Sequence, residues 1–140
     1  MLLSSQSAVT SLLTAPARGP VRVLVADDEP LFSEALAATL SLEARIEVVG
    51  LAENGIDAVA LARSLEPDVI LMDIDMPVMD GIQATRQIRE ELPWTVVIVV
   101  TGSEAAADVD RARRAGAAAY VHKDDVAVDF PSCILARFSR

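Results

Sequence analysis

The chain has a single cysteine, Cys133, so no disulfide can close within it and the fold must rest on its apolar core. Aromatic residues are rare, 4% against 52% hydrophobic overall, which leaves that core to Val, Leu, Ile and Ala. Positive charge is also short. Twelve Lys and Arg face 21 Asp and Glu, a formal net charge of −9, which disfavours direct contact with nucleic acid or an anionic membrane. No unbroken apolar run reaches the ~20 residues of a membrane span. The first stretch, "MLLSSQSAVTSLLTAPARGP", has neither the charged start nor the continuous apolar segment of a secretion signal. It is predicted to be a flexible extension over residues 1–20, with one domain over 21–140. A reducing, cytoplasmic location is expected.

What is present alternates regularly. Strand-like runs occur at "VRVLVA" (21–26), "IEVVG" (46–50), "DVILMD" (68–73), "TVVIVVT" (95–101) and "AAYVH" (118–122). Three of them are nearly continuous in aliphatic residues, the pattern of strands covered on both faces of a parallel sheet. Helical spacing lies between them. Phe32, Ala35, Leu36, Thr39 and Leu40 share a face, as do Ala58, Leu61, Ala62 and Leu65, and more sparsely Ile82, Ile88 and Leu92. Pro30 suits a first helical turn, Asp80 with Gln83 resembles a capping box, and Ser103 is placed to cap a helix over 104–115. Five strands alternating with helices imply right-handed crossovers and an open doubly wound α/β sheet. Ligands of such sheets bind beyond the carboxyl ends of the strands.

Those ends carry chemistry. In turn they present Asp27-Asp28-Glu29, Asp73, Thr101-Gly102-Ser103 and Lys123. Converging carboxylates repel by roughly 1 kcal/mol per pair at 4 Å in water and about 4 at an effective dielectric near 20. A hard divalent cation with oxygen ligands, such as Mg²⁺, would relieve this. Eleven of the twelve basic residues are arginine, and Lys123 is the only lysine. A compact ammonium is thus kept at the rim, where arginine is no substitute for reaching one oxygen.

The fragments "VADDEP", "LMDIDMPVMDG", "VVTGS" and "YVHK", in that order on successive strand ends, resemble the receiver domain of two-component response regulators. The resemblance covers about residues 21–125 and leaves 126–140 as an atypical segment. "DDEP", "EVVG" and "IRE" look most like the branch usually joined to a LuxR-type helix-turn-helix domain. The resemblance implies a flavodoxin-like five-stranded parallel sheet of order 2-1-3-4-5. It implies Asp73 as phosphoacceptor for a sensor histidine kinase, and Mg²⁺ held by Asp28, Asp73 and the Asp75 backbone carbonyl, with Asp27 acting through water. Lys123 and Thr101 would contact the phosphoryl group, Gly102 would admit close approach, and Tyr120 would report the switch. Asp75 and Ser103 would tune the phosphoryl lifetime. An enzyme is the alternative: Asp73-x-Asp75 resembles the nucleophile motif of haloacid-dehalogenase-type phosphatases, although Pro77 stands where a Thr or Val usually follows.

Other residues read more plainly. Met72, Met76 and Met79 are expected to fill core and loop, His122 to pack or lie at the surface, and Arg111, Arg113 and Arg114 to form a solvated helix face. In "DDVAVDFPSCILARFSR", Pro131 interrupts where a fifth helix should run. A short helix near Pro131 with Ile134, Leu135 and Phe138 inward is expected, shortened or poorly anchored. The chain is then either a stand-alone receiver or the remnant of a two-domain regulator. A homodimer or partner contact through the fourth-helix and fifth-strand face is expected, with no direct nucleic-acid or membrane contact.

Overall fold

The computed structural model describes residues 19–127 and 129–138; most of the expected N-terminal extension lies outside them. Five strands, β1 (Val21–Ala26), β2 (Ile46–Ala52), β3 (Val69–Met72), β4 (Val96–Thr101) and β5 (Ala119–His122), alternate with five helices. These are α1 (Pro30–Ser41), α2 (Gly55–Leu65), α3 (Gly81–Glu91), α4 (Ala106–Ala115) and α5 (Phe130–Ala136), with a 3₁₀ turn at Lys123–Asp125. The sheet is parallel throughout, in the order β2-β1-β3-β4-β5, as the resemblance implies.

The aliphatic runs explain the layers. Side chains alternate across a strand, so Leu24, Ala26, Ile70, Met72 and Val97 bury against Ala58, Ala62 and Ile88 of α2 and α3. Val23, Val25, Val69, Leu71, Ile98 and Val100 bury on the opposite face, against Leu36 and Leu40 of α1 and Phe130, Ile134 and Leu135 of α5. Each large aliphatic side chain buried this way contributes roughly 1.5–3 kcal/mol. Ala35, expected on the inner face of α1, is exposed. None of the described helices is long and apolar enough to cross a membrane.

Several helix ends follow from local chemistry. Pro30 sits in the first turn of α1, and the Asp80 carboxylate accepts the Gln83 N–H at 2.8 Å. Asn54 caps α2 in the same way through Asp57. The start of α4 differs from expectation. It begins at Ala106 rather than 104, and Ser103 is not its cap. The Ser103 hydroxyl donates to Asp108 Oδ2 at 2.6 Å while its oxygen accepts Ala105 N–H at 3.3 Å, so it braces the turn ahead of the helix.

The last helix is seven residues long with Pro131 in its first turn, where no N–H is needed. It is short, as expected, but not poorly anchored. Phe130, Pro131, Ile134 and Leu135 are buried and Phe138 packs against the same cluster.

Two tight spots shape the loop after β3. A Cβ on Gly81 would lie 1.8 Å from the Asp73 carbonyl oxygen, so only glycine lets α3 start there. Val78 adopts φ 72°, and Met79 N–H donates to Pro77 O at 2.7 Å, closing a γ-turn. Trp94 is 62% exposed in the connection from α3 to β4, at the amino ends of the strands.

Candidate functional site

Strand order reverses at β1, with β2 on one side and β3 on the other. Ala26 pairs with Met72, so Asp27 and Asp73 leave the sheet side by side. The ladder continues into them: Asp27 N–H donates to Ala52 O and Asp73 N–H to Ala26 O, both at 2.9 Å. Both acids are therefore held near the core, 3% and 4% exposed, while Asp28 is exposed. Carboxylate oxygens of Asp27, Asp28 and Asp73 all lie within 4.8 Å of one another.

Lys123, at the first residue after β5, brings the counter-charge. Its Nζ is 2.8 Å from Asp27 Oδ2, 2.5 Å from Glu29 Oε1 and 3.4 Å from Asp73 Oδ2. It also lies 4.5 Å from the centre of the Phe32 ring. Burial disfavours this ammonium, but hydrogen bonds to Asp27 and Glu29 and the charge of Asp73 outweigh that and hold its pKa above the usual lysine range. Burial and the charge of Asp27 push the Asp73 carboxyl upward, against opposition from Thr101, Lys123 and the Asp75 amide. Asp73 Oδ1 is buried with no hydrogen-bond partner among the described residues. Three carboxylates and an orphaned oxygen, with no His or Cys grouped with them among the described residues, suit a hard divalent cation. Asp27, Asp28 and Asp73 are the residues able to hold one.

The other predicted residues gather on the β4 side. Thr101 is fully buried and its hydroxyl accepts Ser103 N–H at 3.4 Å. Tyr120 packs against the Ile74, Ile82 and Val99 cluster, and its hydroxyl donates to Ser103 O at 3.0 Å. Gly102 is exposed, and a Cβ there would meet nothing within 4 Å, so the backbone at this strand end faces open space. Asp75 is exposed, and its carboxylate is not among the three grouped acids. For holding a cation, Asp73 is thus grouped with Asp27 and Asp28 and not with Asp75.

The plainer expectations hold. His122 ties loops together, with Nε2 3.1 Å from Gly102 O and Nδ1 accepting Asp124 N–H at 3.1 Å. Met72 and Met76 are buried and Met79 is half-buried. Arg111, Arg113 and Arg114 pair with Asp108 and Asp110 on an exposed helix face. Two residues have contacts that the sequence did not reveal: Glu29, which stands among the strand-end acids without a role of its own, and Phe32, which reads simply as helix face.

Residues 23–129 match the family described as the response regulator receiver domain. The chain is 36% identical over 104 residues to the transcriptional regulatory protein LnrK of Bacillus subtilis, covering 74% of this chain and 47% of that protein. It is 43% identical over 105 residues to protein-glutamate methylesterase/protein-glutamine glutaminase 4 of Myxococcus xanthus, covering 74% and 30%. It thus spans less than half the length of either relative. The signal receiver domain of the response regulator NarL from Mycobacterium tuberculosis superposes with a TM-score of 0.80 at 38% identity, covering 85% of this chain and 96% of that one. A LuxR-family DNA-binding response regulator from Staphylococcus aureus gives 0.78 at 26% identity, covering 83% and 97%.

Proposed function

This chain belongs to the response regulator receiver family, and from that membership we propose that it is a phosphoacceptor switch of a two-component relay. Asp73 takes a phosphoryl group from the phosphohistidine of a sensor histidine kinase in a Mg²⁺-dependent reaction. The observation that carries this is Asp73 itself: a buried carboxylate with one oxygen unpartnered, beside two further acids and the chain's only lysine.

The chemistry suits these groups. Phosphoryl transfer passes through a loose transition state that needs in-line positioning and charge neutralisation. The Asp73 oxygen attacks phosphorus as the bond to the imidazole nitrogen breaks. Lys123 and the Thr101 hydroxyl contact the phosphoryl oxygens, and exposed Gly102 leaves their approach open. Asp28, Asp73 and the Asp75 carbonyl would hold the cation, with Asp27 acting through water. When bound, Mg²⁺ supplies positive charge to the same oxygens. Thr101 and Tyr120 relay the change to the surface, while Asp75 and Ser103 set how long the acyl phosphate survives.

Residues 21–140 form the receiver unit and 1–20 an extension to it, acting in the cytoplasm. The unit works alone or as part of a DNA-binding regulator, touching no DNA itself. It passes its signal to a second copy or another protein through α4 and β5.

Incubation with acetyl phosphate and Mg²⁺ tests the reading by mass spectrometry. One base-labile phosphoryl group per chain is expected, absent in Asp73→Asn and still formed in Lys123→Ala. An unlabelled wild type overturns it.

A further inference from the structure

Glu29 makes a contact that the phosphoacceptor reading does not use. It stands at the N-cap of α1, yet its side chain makes no capping hydrogen bond. Its carboxylate turns instead to Lys123, 94 residues away in the chain, at 2.5 Å. The backbone sets this direction, because Glu29 N–H donates to Asp27 Oδ1 at 2.8 Å and curls the segment back over the site.

An ammonium has three hydrogens to donate. Two of them serve Glu29 at 2.5 Å and Asp27 Oδ2 at 2.8 Å, while Asp73 Oδ2, at 3.4 Å, lies beyond the usual 2.7–2.9 Å of a charge-assisted bond. The Phe32 ring supports the ammonium at 4.5 Å. The lysine is therefore drawn away from the residue it is meant to serve.

We propose that Glu29 is a positioning residue that holds Lys123 at a resting place between Asp27 and Phe32, from which an arriving phosphoryl group must win it. The inference rests on the phosphoacceptor reading of Asp73. Glu29 is 64% exposed at its side chain and Lys123 14%, so water reaches the pair from the Glu29 side and weakens it there. The contact can therefore be exchanged readily. A phosphoryl dianion on Asp73 carries more charge than one carboxylate and draws the ammonium over. Glu29 is then left unpaired, and the tie between α1 and the turn after β5 is broken.

Lys123 is the only lysine, so ¹⁵N-lysine labelling gives one side-chain ammonium signal to follow by NMR. Wild type is compared with Glu29→Gln and with Glu34→Gln, an exposed acid on the same helix. Glu29→Gln is expected to shift the Lys123 signal with no metal or phosphodonor present. It should also speed labelling by acetyl phosphate at saturating Mg²⁺ roughly fivefold, by relieving repulsion of the incoming dianion and freeing the ammonium. Glu34→Gln should do neither. A Lys123 signal unchanged in Glu29→Gln overturns the resting contact whatever the labelling does. A shifted signal with unchanged or slower labelling, or an equal acceleration in Glu34→Gln, overturns the competition. A wild type that takes no label overturns the phosphoacceptor reading instead, and the NMR signal then still decides where Lys123 rests.

Discussion

Asp73 carries an ionised group into a place where one of its oxygens finds no partner and where Asp27 adds a second negative charge. Its folded pKa is raised, so the folded state holds the proton more tightly than the unfolded chain does. That favours folding below the ordinary carboxylate range, and the advantage is lost as pH rises through the raised value. At neutral pH the charge is a net cost to the fold. Asp73→Asn should therefore stabilise the metal-free protein by about 1 kcal/mol at pH 7, from relieved repulsion, with the gain shrinking toward acid. Urea unfolding at several pH values checks this, and a destabilised variant at pH 7 would contradict it. The acids, Thr101 and Lys123 could be read from the sequence because each ends an apolar run. The pairing of Glu29 with Lys123 could not, since the two lie 94 residues apart and only folding brings them together.

Among the elements, β1, β3 and β4 were the most legible, because strands covered on both faces need nearly every residue apolar. The edge strands β2 and β5, half-buried along much of their length, carry a weaker signal. Strand order came from family resemblance and not from any pattern in the residues. The α4 start differs from the expected 104 because the Ser103 hydroxyl accepts Ala105 N–H in the turn ahead of the helix and caps no helical N–H. Gly81 marks where α3 presses on the loop of Asp73, and the atom it would strike is backbone, which cannot swing aside. Gly81→Ala should cost roughly 2–4 kcal/mol in denaturant unfolding. On the outer surface, Arg63 joins α2 to α3 through a two-pronged pair with Glu91. Hydrogen bonds from Arg63 and then Gln87 hold the Glu91 carboxyl down to about 2. A lowered pKa contributes stability above the ordinary carboxylate value that is lost as pH falls toward 2. Glu91→Gln should flatten the acid limb of the stability profile over that window, by a small amount because the pair is exposed. An acid limb identical to wild type would assign no role to the pair.

The molecule as a whole bears a net charge of −9, and three of its carboxylates share one small volume. A cation that binds the folded state alone raises stability by mass action, by about 1.4 kcal/mol at ten times its dissociation constant. Thermal unfolding should accordingly shift upward with Mg²⁺, and shift less in Asp28→Asn. Equal shifts in both proteins would mean nonspecific screening. The choice of calorimetry or circular dichroism over fluorescence for that titration follows from where Trp94 stands. It precedes β4, and the strand runs six residues from Val96 to Thr101, a rise of roughly 20 Å. With Trp94 62% exposed at the far end of the sheet, the chain's sole strong natural fluorophore will stay dark to events around Asp73. An optical assay of this switch needs a dye or an engineered indole near Tyr120.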